Sequence, residues 1–187
     1  MIDSTGYCEY PLLEQAANIV KQEATDYLSI LDNVVANDDS PDLTDIHPRD
    51  RTNVNLYCGL LLGEEVTDYK QSLLDKFQRS LSFSKSLPGV VRIELIAIGP
   101  NSIVPLHLDD MSRCPFDNTN DWYSVFIGVI VPSTDFKMLG VQINNQLYNH
   151  MFGKAIVFDT QNPHSAYNNT TDWWLSLRLS ILKEKFK

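Results

Sequence analysis

The stretch Trp173-Trp174-Leu175-Ser176-Leu177-Arg178-Leu179-Ser180-Ile181-Leu182 decides the fold class. Leu175, Leu177, Leu179 and Ile181 alternate with Ser176, Arg178 and Ser180. A period of two marks a β-strand with two unlike faces. An arginine in the middle of such a strand is costly to bury unless it meets an anion. A guanidinium is the natural bidentate partner of a carboxylate. Two readings stand: Arg178 anchors an anionic ligand inside a barrel, or it pairs with a protein carboxylate or faces solvent.

Upstream of this strand, short β-branched or aromatic runs occupy 90–98, 102–108, 122–131, 137–143 and 154–158. Clusters of Gly, Pro, Asn and Asp separate them, which is the pattern of a sandwich or barrel. Before Pro88-Gly89 the chain reads differently. Apolar residues from Leu12 to Val34 recur near 3.6, with Pro11 placed for a first helical turn. Helical spacing returns over 64–81, and 53–62 reads as a strand. Helices before strands, without βαβ alternation, exclude a Rossmann or TIM arrangement. The expected fold is α+β, with one domain over 1–187: helical support with one or two strands over 1–88, and a β core over 89–183.

Composition narrows the function. The 187 residues carry 15 Lys+Arg against 24 Asp+Glu, a net charge of −9. No basic cluster offsets that field, so nucleic-acid and membrane-surface binding are not expected. The three cysteines Cys8, Cys58 and Cys114 form no C-x-x-C pair, which argues against a disulfide framework or structural zinc. Met1-Ile2-Asp3-Ser4 lacks the features of a signal peptide, so a soluble, cytoplasmic protein is expected. Neither nucleotide-phosphate loop motif occurs.

The residues able to carry chemistry are His107 in Val104-Pro105-Leu106-His107-Leu108-Asp109-Asp110, and His164 in Phe158-Asp159-Thr160-Gln161-Asn162-Pro163-His164. Within a strand His107 and Asp109 would share a face. Two histidines and one carboxylate make the facial triad of non-haem Fe(II) oxygenases, which leaves positions open for co-substrate and O2. Taken alone, His-x-Asp more often describes a structural hydrogen-bonded pair.

The strings from Ile98-Gly99-Pro100 to His107, Phe126-Ile127-Gly128-Val129-Ile130-Val131-Pro132, and Gly153 to Asp159 with His164 and a later arginine resemble the aspartyl/asparaginyl β-hydroxylase family. The resemblance covers roughly residues 90–182. It implies a double-stranded β-helix, jelly-roll or cupin-like, with the N-terminal helices packed on its outer face. It also implies hydroxylation coupled to Fe(II), 2-oxoglutarate and O2. His107 and His164 are then metal ligands, with Asp109 completing the triad as in bacterial members of the family, and Arg178 holds the distal carboxylate of 2-oxoglutarate. Ser176, on the face of Arg178, and Tyr123 are expected as further co-substrate contacts; the strand before Gly128 offers Tyr123, Ser124 and Phe126 where the founding animal enzyme has basic residues, so the secondary contacts must differ from that enzyme's. The substrate would be an amino-acid side chain, free or in a peptide.

Arg113 and Arg92 are candidate contacts for a substrate carboxylate, and Ser102 and Asn101 for the pocket wall. His150 is expected on the surface in a polar turn, His47 in a loop, and Trp122, Trp173 and Trp174 in packing. The oligomeric state is not legible. Two rivals remain: another metal-dependent cupin enzyme that does not use 2-oxoglutarate, and a non-catalytic β-barrel binding module with structural histidines.

Overall fold

The computed structural model describes residues 9–37, 51–58, 77–108, 122–159 and 161–186. Helix α1 spans Tyr10–Asn37 and is followed by β1, Arg51–Cys58, and helix α2, Gln78–Ser86. The strands then run β2 Val90–Ile98, β3 Ser102–His107, β4 Trp122–Ile130, β5 Leu139–Ile143, β6 Gln146–Tyr148, β7 Ala155–Asp159, β8 His164–Asn168 and β9 Trp174–Leu182. A 3-10 turn at Lys183–Lys185 follows.

Two antiparallel sheets form, in the orders β1-β2-β9-β4-β7 and β3-β8-β5-β6. From β2 onward the eight strands wind between the sheets so that the last lies beside the first. This is the double-stranded β-helix of jelly-roll and cupin-like proteins, and β1 extends one edge of it. The expected class holds. Among the six strands expected over 90–182, β2 has the same ends and the other five shift by one or two residues; the strand expected over 53–62 corresponds to β1, which starts two residues earlier. The expected helix over 64–81 lies mostly outside the described residues; its described end continues into α2.

Two strands escaped the sequence reading. β6 is three residues long and enters through a hairpin at Asn144-Asn145, both with positive φ (49° and 63°). Two consecutive residues in that region match the twist of a two-residue hairpin, and Asn tolerates it. β8 is His-Ser-Ala-Tyr-Asn, polar at two of its three buried positions, His164 and Asn168. Asn168 earns its buried place by donating from Nδ2 to the carbonyls of Ile98, Gly99 and Asp172 at 2.8–3.1 Å.

The larger sheet separates two cores. On one face, Ile93, Leu95, Val125, Ile127, Val157, Leu175, Leu177, Leu179 and Ile181 pack with Leu13, Ala16, Ala17, Val20 and Ala24 of α1 and with Phe77 at the start of α2. The helices therefore cover the outer face, as expected. Between the sheets lies a second cluster of Ile96, Ile98, Val104, Phe126, Leu139, Val141, Ile143, Ile156, Phe158, Ala166 and Trp174. No described helix is long and apolar enough to cross a membrane.

Candidate functional site

A cleft of about 330 Å³, its open mouth included, enters between the two sheets. Its lining is Ile96, Ile98, Val104, His107, Phe126, Val141, His164, Ser165, Ala166 and Arg178. An apolar cleft with a few convergent polar groups is the usual form of a small-molecule site.

The histidines reach it by a local irregularity. Along β3 and β8, Val104 stands opposite Ala166 and His107 opposite His164, so β3 carries one extra residue between these pairs. This β-bulge falls at Pro105-Leu106. Without it, alternation from buried Val104 would send His107 to the outer face. The bulge re-aims the side chain inward, as bulges beside functional sites do. Pro105 fits there because β3 is an edge strand and no ladder N–H is required of it.

The two imidazole rings lie 4.3 Å apart, centroid to centroid. His107 Nδ1 is 2.7 Å from the Pro105 carbonyl, and His164 Nδ1 is 3.0 Å from the Asn162 carbonyl. A carbonyl only accepts, so in each neutral ring Nδ1 donates and the lone pair sits on Nε2. Anchoring one ring nitrogen on a backbone carbonyl is how metal-binding histidines are held in tautomer and orientation. Asp109 and Arg113 lie outside the described residues, as does His47. Among the described residues, no group of three His, Cys, Asp or Glu is placed to hold a metal ion.

Arg178 closes the inner end. It is 3% exposed, and its Nε donates to Ser124 Oγ at 2.8 Å. The same Nε is 3.5 Å from Glu94 Oε2. Arg178 therefore lines the cleft and also has a protein carboxylate beside it. A line of rings joins the two ends. His164 lies 5.0 Å from Phe158, Phe158 lies 5.6 Å from Phe126, and the Arg178 guanidinium sits over Phe126 at 5.5 Å. Packed rings fix the separation between histidines and cation more firmly than flexible side chains would.

Several residues expected at the pocket make other contacts in the structure. Tyr123 faces the helical layer, against Phe186 at 5.0 Å and beneath Lys183; alternation along β4 turns Ser124 inward instead. Ser176 is buried on the inner face but does not line the cleft. Ser102 donates to the Pro100 carbonyl at 3.1 Å, which spends its hydroxyl on the turn before β3. Asn101 is exposed at φ 51° in that turn. Arg92 pairs with Glu94 at 2.7 Å. The three tryptophans are buried, as expected.

His150 departs most from expectation. It is fully buried, its Nε2 facing the Phe126 carbonyl at 3.3 Å and its ring edge-on to Trp174 at 5.4 Å. The polar turn folds back along β4, where Gly128 bridges Phe152. A Cβ at Gly128 would stand 2.4 Å from the Met151 carbonyl oxygen, so only glycine permits this approach. Burial lowers the His150 pKa from 6.5 to about 4, with hydrogen bonds to the Phe126 and Lys154 backbone opposing the shift.

The fold and the cleft define a double-stranded β-helix protein with paired, carbonyl-anchored histidines at one end of an apolar cleft and a buried arginine at the other. The chain belongs to the aspartyl/asparaginyl beta-hydroxylase family, whose model matches residues 71–183, more than half of the chain. The family is one of hydroxylases. No curated protein sequence is significantly similar to it. Among solved structures, an oxidoreductase of the 2OG-Fe(II) oxygenase family from Burkholderia pseudomallei is similar at 15% identity, over 84% of this chain and 78% of that one, with a TM-score of 0.44. KdgF from Halomonas sp. is similar at 12% identity, over 78% and 88%, with a TM-score of 0.42. A structure described for the DMSP lyases RdDddP and RnDddQII is similar at 15% identity over 48% of this chain, which spans only 37% of that one, with a TM-score of 0.36.

Proposed function

We propose that the protein is an Fe(II)- and 2-oxoglutarate-dependent dioxygenase that hydroxylates an amino-acid side chain, free or within a peptide. The observation that carries this reading is the pair His107 and His164, side by side in the cleft, each with Nδ1 tied to a backbone carbonyl so that the ring lone pair is on Nε2. Two neutral imidazoles and a hard carboxylate suit Fe(II) while leaving positions open. The carboxylate is assigned to Asp109, two residues beyond His107.

Bound there, Fe(II) with 2-oxoglutarate and O2 supplies the oxidising chemistry that hydroxylates a C–H bond and releases succinate and CO2. The chain's own part is positioning. Arg178 holds the far carboxylate of the co-substrate, a charge-assisted pairing strengthened by its burial. Ile96, Ile98, Val104, Phe126 and Val141 keep water from the space between. Fixed in this way, co-substrate and target bond meet in one orientation. No protein general base is needed. Arg113 is assigned to a substrate carboxylate, and three cysteines without a C-x-x-C pair suit a reducing, cytoplasmic setting.

Anaerobic titration with Fe(II) and 2-oxoglutarate tests the reading. The weak visible charge-transfer band should require both and should be lost in Arg178→Ala, with folding checked by circular dichroism. The Glu94 pairing favours one alternative, a metal-dependent cupin-type enzyme that does not use 2-oxoglutarate. Iron binding without any response to 2-oxoglutarate would select it.

A further inference from the structure

The two sheets are covered unequally. Helices α1 and α2 pack on the outer face of the larger sheet, whereas the outer face of the smaller sheet presents apolar side chains to solvent. Ile103, Leu106, Leu108, Met138 and Leu147 are 37–64% exposed. The ladders place them together. Ile103, Tyr167 and Gly140 form one row across β3, β8 and β5, and Ser165, Gln142 and Leu147 form the next across β8, β5 and β6. The intervening Val104, Ala166 and Val141 point into the core between the sheets, so alternation turns both rows outward. It turns Leu106 and Leu108 outward on either side of His107, and Met138 outward before buried Leu139. None of these outward residues carries a charge.

The face is also flat. The Tyr167 hydroxyl donates to the Phe136 carbonyl, which ties the ring down along the sheet. A Cβ at Gly140 would stand 2.6 Å from Tyr167 Oη and 2.8 Å from Leu147 Cδ1. Glycine at that position lets both side chains lie across β5 instead of standing up from it.

A flat, neutral, apolar face on a chain of net charge −9 restricts what can cover it. Anionic lipid headgroups are repelled by that charge and meet no Lys or Arg among the outward residues. An amphipathic helix needs a groove. A second copy brings an identical flat and neutral face, and two sheets pack face to face about 10 Å apart. Elsewhere two copies repel each other, so this face is where they meet without desolvating charge. Its exposed apolar side chains make a patch on the order of 500 Å², which with its polar margin approaches the ~800 Å² per partner of a standard interface. We infer that the protein forms a two-fold dimer through the outer faces of its β3-β8-β5-β6 sheets, with Ile103, Tyr167 and Leu147 of each copy at the contact. The contact uses the same surface on both copies and therefore closes at two. The inference rests on the fold alone and is independent of the proposed function.

Sedimentation velocity on the whole chain, from about 1 to 100 µM, tests it. The wild type should be mainly dimeric at the upper end of that range. Leu147→Glu and Ile103→Glu each bury two carboxylates in the contact and should weaken dimerisation about a hundredfold or more. Both positions are exposed in the single chain, so circular dichroism and Tm should match the wild type; should one variant fail to fold, the other carries the test. Met151→Glu alters an equally exposed apolar residue beyond β6, off this face, and should leave the dimer intact. A wild type that stays monomeric at about 100 µM overturns the inference. So does a dimer that persists in both face variants, a dimer lost equally in Met151→Glu, or an assembly that grows beyond two copies.

Discussion

The two faces of β9 are built from the same ten-residue stretch and do opposite things. Leu175, Leu177, Leu179 and Ile181 are fully buried against α1 and the neighbouring strands. On the reverse face Ser176, Arg178 and Ser180 are equally hidden from solvent, yet they carry hydroxyls and a charge. Burial alone does not tell the faces apart. The apolar face gains its stability from area removed from water. On the polar face the charge is tolerable because Ser124 and Glu94 stand against Arg178. One face holds the molecule together while the other spends some of that stability on a site.

Substitutions sharpen this contrast. Leu177→Ala, on the helix-covered face, should lower unfolding free energy by about 4 kcal/mol in denaturant titrations. It should leave ligand binding per folded molecule unchanged, and an equal loss of binding would break the division between faces. The next effect is one of pH. Because the folded His150 pKa is lowered to about 4, the unfolded chain takes up a proton below about 6.5 that the native state refuses. The His150 contribution is therefore complete above pH 6.5. It falls by about 1.4 kcal/mol per pH unit as pH drops, for a total of about 3 kcal/mol by pH 4. Stability curves of wild type and His150→Gln should converge over that interval.

On the cleft side, His164→Ala should weaken Fe(II) binding by at least roughly a hundredfold, since even changes behind a ligand cost 10–100-fold. Ser124→Ala removes only the acceptor of Arg178 Nε and should cost about 1 kcal/mol of stability. It should also measurably weaken succinate binding. A stability loss with no change in binding would place Ser124 among the purely structural contacts.

Alternation made much of the fold legible. Period-two runs located six of the eight strands of the double-stranded β-helix, and the apolar spacing after Pro11 located α1. β8 stayed hidden because its inward positions hold His164 and Asn168, whose burial depends on hydrogen bonds to residues distant in sequence, such as Ile98 and Gly99. The same limit explains His150. A Tyr-Asn-His turn reads as surface until Gly128 lets it fold against β4. Tyr123 and Ser124 differ by one position, and nothing in the local pattern of β4 says which faces Arg178.

The amino-acid sequence by itself determined the strand pattern, the helical layer and the residue types able to bind a metal and an anion, because periodicity and side-chain chemistry are local properties. Only the tertiary structure decided that a bulge at Pro105-Leu106 turns His107 toward His164, and that Glu94 stands behind Arg178. Register between strands is set by the packing of whole sheets. A one-residue shift within a strand, invisible in composition, moves a side chain from solvent into the site.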